Sequence, residues 1–445
     1  MRVLIAGAGK VGYNIAKSLM LKHEVIVIDQ NQEAIHHIQE TLDVLAMYGN
    51  IENPHIFLGI PKEIDLFIAV TDMDEVNLLS CLIIDNIATV KKKIIRLRNS
   101  FFANDQIKEK LSIDDTIFPS VEAAQPFQYL IDFPYARNVK TFKHTKALLI
   151  SIRLPEDFET TMIENWMVEL DQSLVITGIE RQSDFYVPKP TEMLLPNDLV
   201  YLLAFPSAIK SLHCNLFGHQ PSAPIKNCII FGADSLGIEI AKVLDKKGVN
   251  IQMIDRDLNA CKNANQILKN RVTVLKSSYD SEHFIERNGS KVDMFISAMK
   301  HDEYNITKCM EAKQIGIKKV VGINNDRAYS ALMRKMDIEV VRGEKISAYH
   351  SILEKIHSSH VIVQKNFCGG EGTLFLRKIF HTPQTNDNLL KLPVKLEPHC
   401  ALFIIRGEKI LSLLSIGTLQ KDDIILISAP QMLEDALKKW LDSAL

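Results

Sequence analysis

Val3-Leu4-Ile5-Ala6-Gly7-Ala8-Gly9-Lys10-Val11-Gly12 is a four-residue apolar run that breaks into three glycines spaced two and three residues apart. The run reads as a buried strand and the segment after it, through Ile15, Leu19 and Met20, as a helix with one apolar face. A strand that turns through glycines into a helix leaves the first backbone N–H groups of that helix unblocked, where the aligned peptide dipoles amount to roughly half a positive charge. Such a terminus suits an anion, and a pyrophosphate above all. Asp29 ends the next apolar run, Val25 to Ile28, and stands 22 residues beyond Gly7. That is the place of the acid which accepts from a ribose 2′-hydroxyl in a dinucleotide-binding βαβ unit, and its charge opposes a 2′-phosphate. Lys10 lies inside the loop; phosphate and solvent are both open to it.

The same pattern returns half a chain later. Cys228-Ile229-Ile230-Phe231-Gly232-Ala233-Asp234-Ser235-Leu236-Gly237 repeats the opening stretch, with Gly7 and Gly232 standing 225 residues apart. Val27-Ile28-Asp29 recurs as Met253-Ile254-Asp255, and Asp74-Glu75-Val76-Asn77 as Asp302-Glu303-Tyr304-Asn305. Leu195-Pro196-Asn197-Asp198-Leu199-Val200-Tyr201 has its counterpart in Gln420-Lys421-Asp422-Asp423-Ile424-Ile425-Leu426. A duplication therefore covers nearly the whole chain. In each copy, alternating strand and helix signals give way to short strands separated by turn residues. The expected class is α/β, with two tandem units, each a Rossmann-like parallel-sheet domain followed by a small α+β domain. The boundaries read as 1–118, a connecting helix 119–138 opened by Pro119, 139–222, 225–345 and 346–445, with Pro221, Ser222 and Pro224 in the linker between halves.

The second glycine loop departs from the first. Asp234 replaces the middle glycine, and a carboxylate there opposes a phosphate both sterically and by charge. Gly232, Gly237 and Asp255 remain, so the fold signals persist while the ligand signal weakens. One nucleotide per chain is the expected stoichiometry. Thr71-Asp72-Met73-Asp74-Glu75-Val76-Asn77 follows the apolar strand Leu66 to Val70, at the sheet edge where ligands of open α/β sheets sit. Asp72 and Glu75 have the spacing of a helix capping box, which would explain both acids without a ligand. Arg96 and Arg98 end the next strand on one face, and either is placed to clamp a phosphate. The matching strand of the second copy, Val320 to Asn324, carries no arginine.

Composition bounds what remains. The chain has 445 residues, 47% of them hydrophobic and 24% charged, with 52 Lys and Arg against 54 Asp and Glu. A formal charge of -2 is too balanced for a protein that holds nucleic acid by a broad basic field. The seven cysteines are scattered and form no Cys-x-x-Cys pair, so neither a disulfide framework nor a zinc site is expected. No apolar stretch approaches the roughly twenty residues needed to span a bilayer, and no secretory signal is evident. His357-Ser358-Ser359-His360 has no carboxylate or cysteine to complete a metal site, and no nucleophile elbow, metalloprotease helix or Walker loop occurs. No catalytic residue and no metal ligand is expected.

Taken together, these residues resemble the regulatory subunits of Trk-type bacterial potassium uptake systems, a family built from two RCK units (regulators of potassium conductance). The resemblance runs the length of the chain. It is carried by Gly7 to Gly12, Val27-Ile28-Asp29, Ala69-Val70-Thr71, Asp74-Glu75-Val76-Asn77 and Arg96-Leu97-Arg98, and by Phe118-Pro119 with Leu130-Ile131-Asp132-Phe133-Pro134. It implies a protein without catalysis that binds NAD or NADH, or ATP or ADP at the same site. The residues it marks for the nucleotide are Gly7, Ala8, Gly9, Lys10, Val11, Gly12, Asp29, Thr71, Asp74 and Asn77, with Arg98 on the phosphates. It further implies a tetrameric ring, a Trk-type membrane potassium transporter as partner, and a cytoplasmic location at the inner face of the plasma membrane. From the residues alone two other classes stay open. One is an NAD-dependent oxidoreductase, although no acid–base pair presents itself; the other is a scaffold in which nucleotide is structural filler.

Overall fold

The computed structural model describes residues 1–102, 105–142, 145–168, 173–182, 184–217, 224–277, 291–356, 363–379, 399–412 and 419–444. The His357 to His360 cluster and the linker residues Pro221 and Ser222 lie outside them. The first half opens with β1 (Arg2–Ala6), α1 (Lys10–Leu19), β2 (Glu24–Asp29), α2 (Gln32–Thr41), β3 (Leu45–Tyr48), β4 (Leu66–Ala69), α3 (Asp74–Ile87), β5 (Lys93–Arg96) and β6 (Asp115–Ile117). Its six-stranded sheet has the order β3-β2-β1-β4-β5-β6, parallel throughout. Val3, Leu4 and Ile5 are wholly buried, as a central strand covered on both faces must be, which is why β1 reads as an unbroken apolar run.

After the helix α4 (Pro119–Asp132), which starts on its proline, come β7 (Ala136–Phe142), β8 (Thr145–Arg153), β9 (Leu174–Arg181), β10 (Asp184–Tyr186) and β11 (Leu199–Ala204). They form an antiparallel sheet in the order β10-β9-β11-β8-β7. The second half repeats the plan with β12 (Asn227–Phe231), α5 (Ser235–Asp245), β13 (Asn250–Asp255), α6 (Leu258–Leu268), β14 (Thr273–Lys276), β15 (Met294–Ser297), α7 (Asp302–Gln314), β16 (Lys319–Asn324) and β17 (Glu339–Arg342). Its sheet order, β14-β13-β12-β15-β16-β17, is the first sheet's order again. A second antiparallel sheet, β18-β19-β22-β20-β21, is built from Val363–Phe367, Gly372–Lys378, Ala401–Arg406, Lys409–Ser412 and Ile424–Pro430, which are β18, β19, β20, β21 and β22 in chain order. Two parallel sheets, each followed by an antiparallel one, are the tandem architecture expected of two RCK units.

The duplication reaches individual ion pairs. Arg181 donates through Nε and Nη2 to the two oxygens of buried Asp198 at 2.8 and 2.7 Å, and Arg406 does the same to Asp423 at 2.9 and 2.8 Å. Each of these aspartates also accepts a turn amide, from Leu195 and from Gln420.

Compact units do not follow the linear order of the copies. One unit comprises Met1–Gln125, Ala233–Ile240 and Arg342–Ile356; the other comprises Pro126–Gly232, Ala241–Val341 and His357–Leu445. The boundary between the two units falls within the continuous helix α4, at Pro126, which has no N–H to give to the helix. In the first unit a helix from the second half, α9 (Glu344–Lys355 once α8, Ser330–Lys335, is counted), packs beside α1 and the β5-β6 edge. Ser18 and Tyr349 share a hydrogen bond of 2.8 Å, Lys355 Nζ reaches Asp115 at 2.9 Å, and Lys92 Nζ donates to the Lys355 carbonyl at 2.6 Å. The first parallel sheet is thus covered partly by chain that lies more than two hundred residues away in sequence. In the second unit Phe142, Leu149 and Tyr201 share an apolar core with Phe367, Leu374 and Leu426, so the two antiparallel sheets bury a common interior.

Candidate functional site: the first glycine loop

The three glycines of the first loop do different things. Gly7 has a φ of +115°, and a Cβ there would stand 3.0 Å from the Thr71 amide nitrogen and the Val70 carbonyl carbon. Gly12 lies under the turn, where a Cβ would come within 1.8 Å of the Gly7 carbonyl oxygen. Both are demanded by the fold. Gly9 differs: its φ of -65° suits any residue, and a Cβ there meets nothing within 4 Å. The open side of the loop is therefore at the middle glycine, as close approach of a ligand requires.

Gly9 is also the N-cap of α1 and, having no side chain, makes no cap bond to that helix, whose first turn carries no acidic residue. Val11 and Gly12 are buried, whereas the Lys10 side chain is exposed. Asp29, at the end of β2, accepts the Ala8 amide on Oδ2 at 2.6 Å and the Asn31 amide on Oδ1 at 2.7 Å. The carboxylate is thereby fixed against the glycine loop, half-buried, with lone pairs remaining for a diol. These residues fit a dinucleotide: an open glycine, an uncapped positive helix end and an oriented carboxylate on one sheet edge.

Asp74 and Asn77 are less available than their position in sequence suggests. Asn77 is wholly buried and takes the Thr71 amide and hydroxyl on Oδ1 at 2.9 and 2.7 Å, while its Nδ2 donates to the carbonyls of Thr71 and Arg96 at 3.1 and 2.8 Å. Asp74 accepts the Arg98 amide at 2.8 Å and the Asn99 amide at 2.8 Å. Together they stitch the end of β4 to the end of β5 from the start of α3. The second copy makes the same stitch: Asn305 accepts from the Met299 amide and Ser297 hydroxyl, donates to the carbonyls of Met299 and Ile323, and Asp302 accepts the Asn325 and Asp326 amides. A motif spent in both copies on backbone explains why it repeats where the glycine and the arginines do not.

The capping box that the spacing of Asp72 and Glu75 allows is not formed. Helix α3 begins at Asp74 with Met73 as its N-cap and no side-chain cap bond. Asp72 instead accepts from Arg96 Nη2 at 2.8 Å and Arg98 Nη2 at 2.6 Å, both on Oδ1. Desolvation opposes its charge, but the hydrogen bond and charge of Arg96, with Arg98 and Lys345 behind them, outweigh it and hold the carboxyl below its usual range. Arg96 closes β5 and Arg98 lies two residues beyond it; that the two share one counter-ion is a product of the fold. No sequence signal separates an Asp that caps a helix from one that reaches the next strand.

At the second loop Asp234 turns its Oδ1 to the Gly237 amide at 3.4 Å, at the start of α5. Ser235 in the first turn of that helix donates to Glu344 at 2.9 Å, and Ser120 donates to the same carboxylate oxygen. Two of the chain's own carboxylates thus lie at this helix start.

Elsewhere the described residues offer little chemistry. Burial pushes the Cys81 thiol up to about 12 and raises those of Cys228, Cys309 and Cys368 as well, so these thiols stay protonated near neutrality. Among the described residues no group of three or more His, Cys, Asp or Glu is arranged to hold a metal, and no helix is long and apolar enough to cross a membrane.

Known proteins resemble this one along its full length. The Trk system potassium uptake protein TrkA homolog of Archaeoglobus fulgidus is 28% identical over 96% of this chain and 97% of its own. The Trk system potassium uptake protein TrkA of Vibrio alginolyticus is 22% identical over 96% of this chain and 95% of its own. Among solved structures, the GsuK RCK domain superposes with a TM-score of 0.60 at 16% identity, covering 99% of this chain and 95% of that one. A GsuK channel bound to NAD gives 0.60 at 16% identity, over 99% and 79%. At such identities these structures speak to the fold. The TrkA-N domain model matches residues 3–119 and 228–342, the two glycine-loop domains and more than half of the chain, and this protein belongs to the TrkA-N domain family.

Proposed function

We propose that this chain is a nucleotide-sensing regulatory subunit of a potassium uptake system, binding NAD(H), or ATP or ADP in competition with it, at the first glycine loop. The observation that carries the reading is the open face at Gly9 beside an uncapped helix start, with Asp29 and Arg98 on the same sheet edge. Gly7, Ala8, Gly9, Lys10, Val11 and Gly12 supply the loop and its amides, Asp29 accepts from the ribose, and Arg98 reaches a phosphate. In this reading Thr71, Asp74 and Asn77 hold the strand ends at the distances the ligand needs. Relatives named for Trk potassium uptake, alike over nearly their whole length, support a Trk-type membrane transporter as the partner.

The reading includes the division into 1–118, 119–138, 139–222, 225–345 and 346–445, assembly as a tetrameric ring, and residence in the cytoplasm against the inner membrane face. It assigns no catalysis. A ligand that bound two ring shapes equally would shift nothing, so regulation requires that nucleotide contacts differ between them. A tenfold change in open fraction needs about 1.4 kcal/mol, the order of one charge-assisted phosphate contact.

Calorimetric titration of the full chain with NADH, NAD, ATP and ADP tests this, with the size of each complex measured alongside. One nucleotide per chain is expected, and Arg98→Ala is expected to weaken binding about tenfold or more. No saturable uptake of any of the four by folded protein would end the proposal.

A further inference from the structure

Arg96 and Arg98 converge on a single oxygen of Asp72, at 2.8 and 2.6 Å. Arg96 is 7% exposed in its side chain, and its Nε has no hydrogen-bond partner among the described residues. Arg98 is 53% exposed and Asp72 78%. An oxygen of an exposed carboxylate, gripped by two guanidiniums, has the surroundings that a phosphate oxygen would take. Asp72 does not cap α3, and the strand-end stitch is made by Asp74 and Asn77, so what Asp72 serves is the pair of guanidiniums. Asp72 follows directly on Thr71, whose amide nitrogen lies against Gly7, so the pair of arginines and their carboxylate stand at the strand end beside the glycine loop.

We propose that Asp72 is a built-in competitor for the anionic part of the ligand: its carboxylate occupies the guanidinium pair in the free protein and must give way before a diphosphate can engage Arg98. This rests on the nucleotide reading above. Its consequence is a raised threshold. Ligand replaces an ion pair already made, and the displaced carboxylate stays nearby as a like charge, so the affinity is set below what the arginines and helix start alone would give. Arg96, buried with an unpartnered Nε, retains a charge whichever anion it faces, so removing Asp72 leaves that charge seeking one.

Asp72→Asn in the full-length chain tests it, with inorganic pyrophosphate and ADP as separate calorimetric probes and the melting profile as a check on folding. The variant should bind both probes about tenfold more tightly than wild type, and the advantage should shrink as salt is raised. If Asp72 instead serves to hold the arginines in place, the variant binds more weakly. Equal or weaker binding by the variant, with saturable uptake by wild type, overturns the competitor and leaves the nucleotide reading standing. If neither protein takes up either probe, the competitor falls, and the four-nucleotide titration above decides the nucleotide reading separately. The salt response separates competition by charge from a change in loop shape, which salt would not erase.

Discussion

Placing at position 9 the residue that stands at 234 in the second copy should weaken ligand binding and spare the fold. Gly9 is extended, with φ -65° and ψ -177°, and a Cβ there meets nothing within 4 Å, so Gly9→Asp brings neither strain nor collision. Its effect on stability should stay within about 0.5 kcal/mol, and an aspartate N-cap accepting a first-turn amide can add a few tenths in favour. Binding responds oppositely. The carboxylate takes amides meant for the ligand and sets a negative charge about 5 Å from a phosphate, which costs about 0.8 kcal/mol in water and about 3 kcal/mol at an effective dielectric constant of 20. That range is a weakening of roughly fourfold to a few hundredfold.

Titration with NADH and ADP, paired with thermal melting, reads the two effects separately. Gly12→Ala is the control, because its Cβ would fall 1.8 Å from the Gly7 carbonyl oxygen and must displace backbone. It should lose about 2 kcal/mol or more of stability along with binding. A Gly9→Asp protein with wild-type affinity, or one that melts as early as Gly12→Ala, would refute the assignment of Gly9 as the ligand-facing glycine.

Two further outcomes concern the frame around the site. Asn305→Ala strips four hydrogen bonds from buried groups of the second copy and should cost about 2–4 kcal/mol of unfolding free energy, read by denaturant titration, with nucleotide uptake by the surviving folded fraction unchanged. Loss of uptake with the fold intact would mean that the second copy takes part in binding. Asp115 loses hydration in its half-buried place, but hydrogen bonds and charge from Lys355 and Lys92 more than offset this and lower its pKa. A depressed carboxylate contributes stability above its unfolded value near 3.9 that is lost as pH falls through its lower folded value, so the docking of α9 should hold from neutrality to about pH 4 and loosen below it. Hydrogen exchange of residues 344–355 reads this; protection that falls already between pH 7 and 5 would show that another group holds the helix.

Much of this protein is legible in its sequence because the signals are local. A strand that breaks into Gly7, Gly9 and Gly12, and breaks again at Gly232 and Gly237, names the turn, the helix after it and the parallel sheet both belong to, since turn conformation and apolar period depend on neighbouring residues only. Asp29 is placed by the same local rule at the end of the next strand. Asp72, Asp74 and Asn77 were not separable in this way. Each is a polar residue near a helix start, and what it bonds depends on which strand end folding brings alongside: the Arg96 and Arg98 guanidiniums for Asp72, the Arg98 and Asn99 amides for Asp74, the Thr71 and Arg96 backbone for Asn77. The place of Glu344–Lys355 beside the first sheet was equally hidden, because an amphipathic helix carries the need for an apolar partner but not the identity of that partner. Sequence therefore determined the sheets, their doubling and the open glycine, all consequences of short-range backbone chemistry. Tertiary structure alone decided which charges meet, because electrostatic partners are chosen by distance in space.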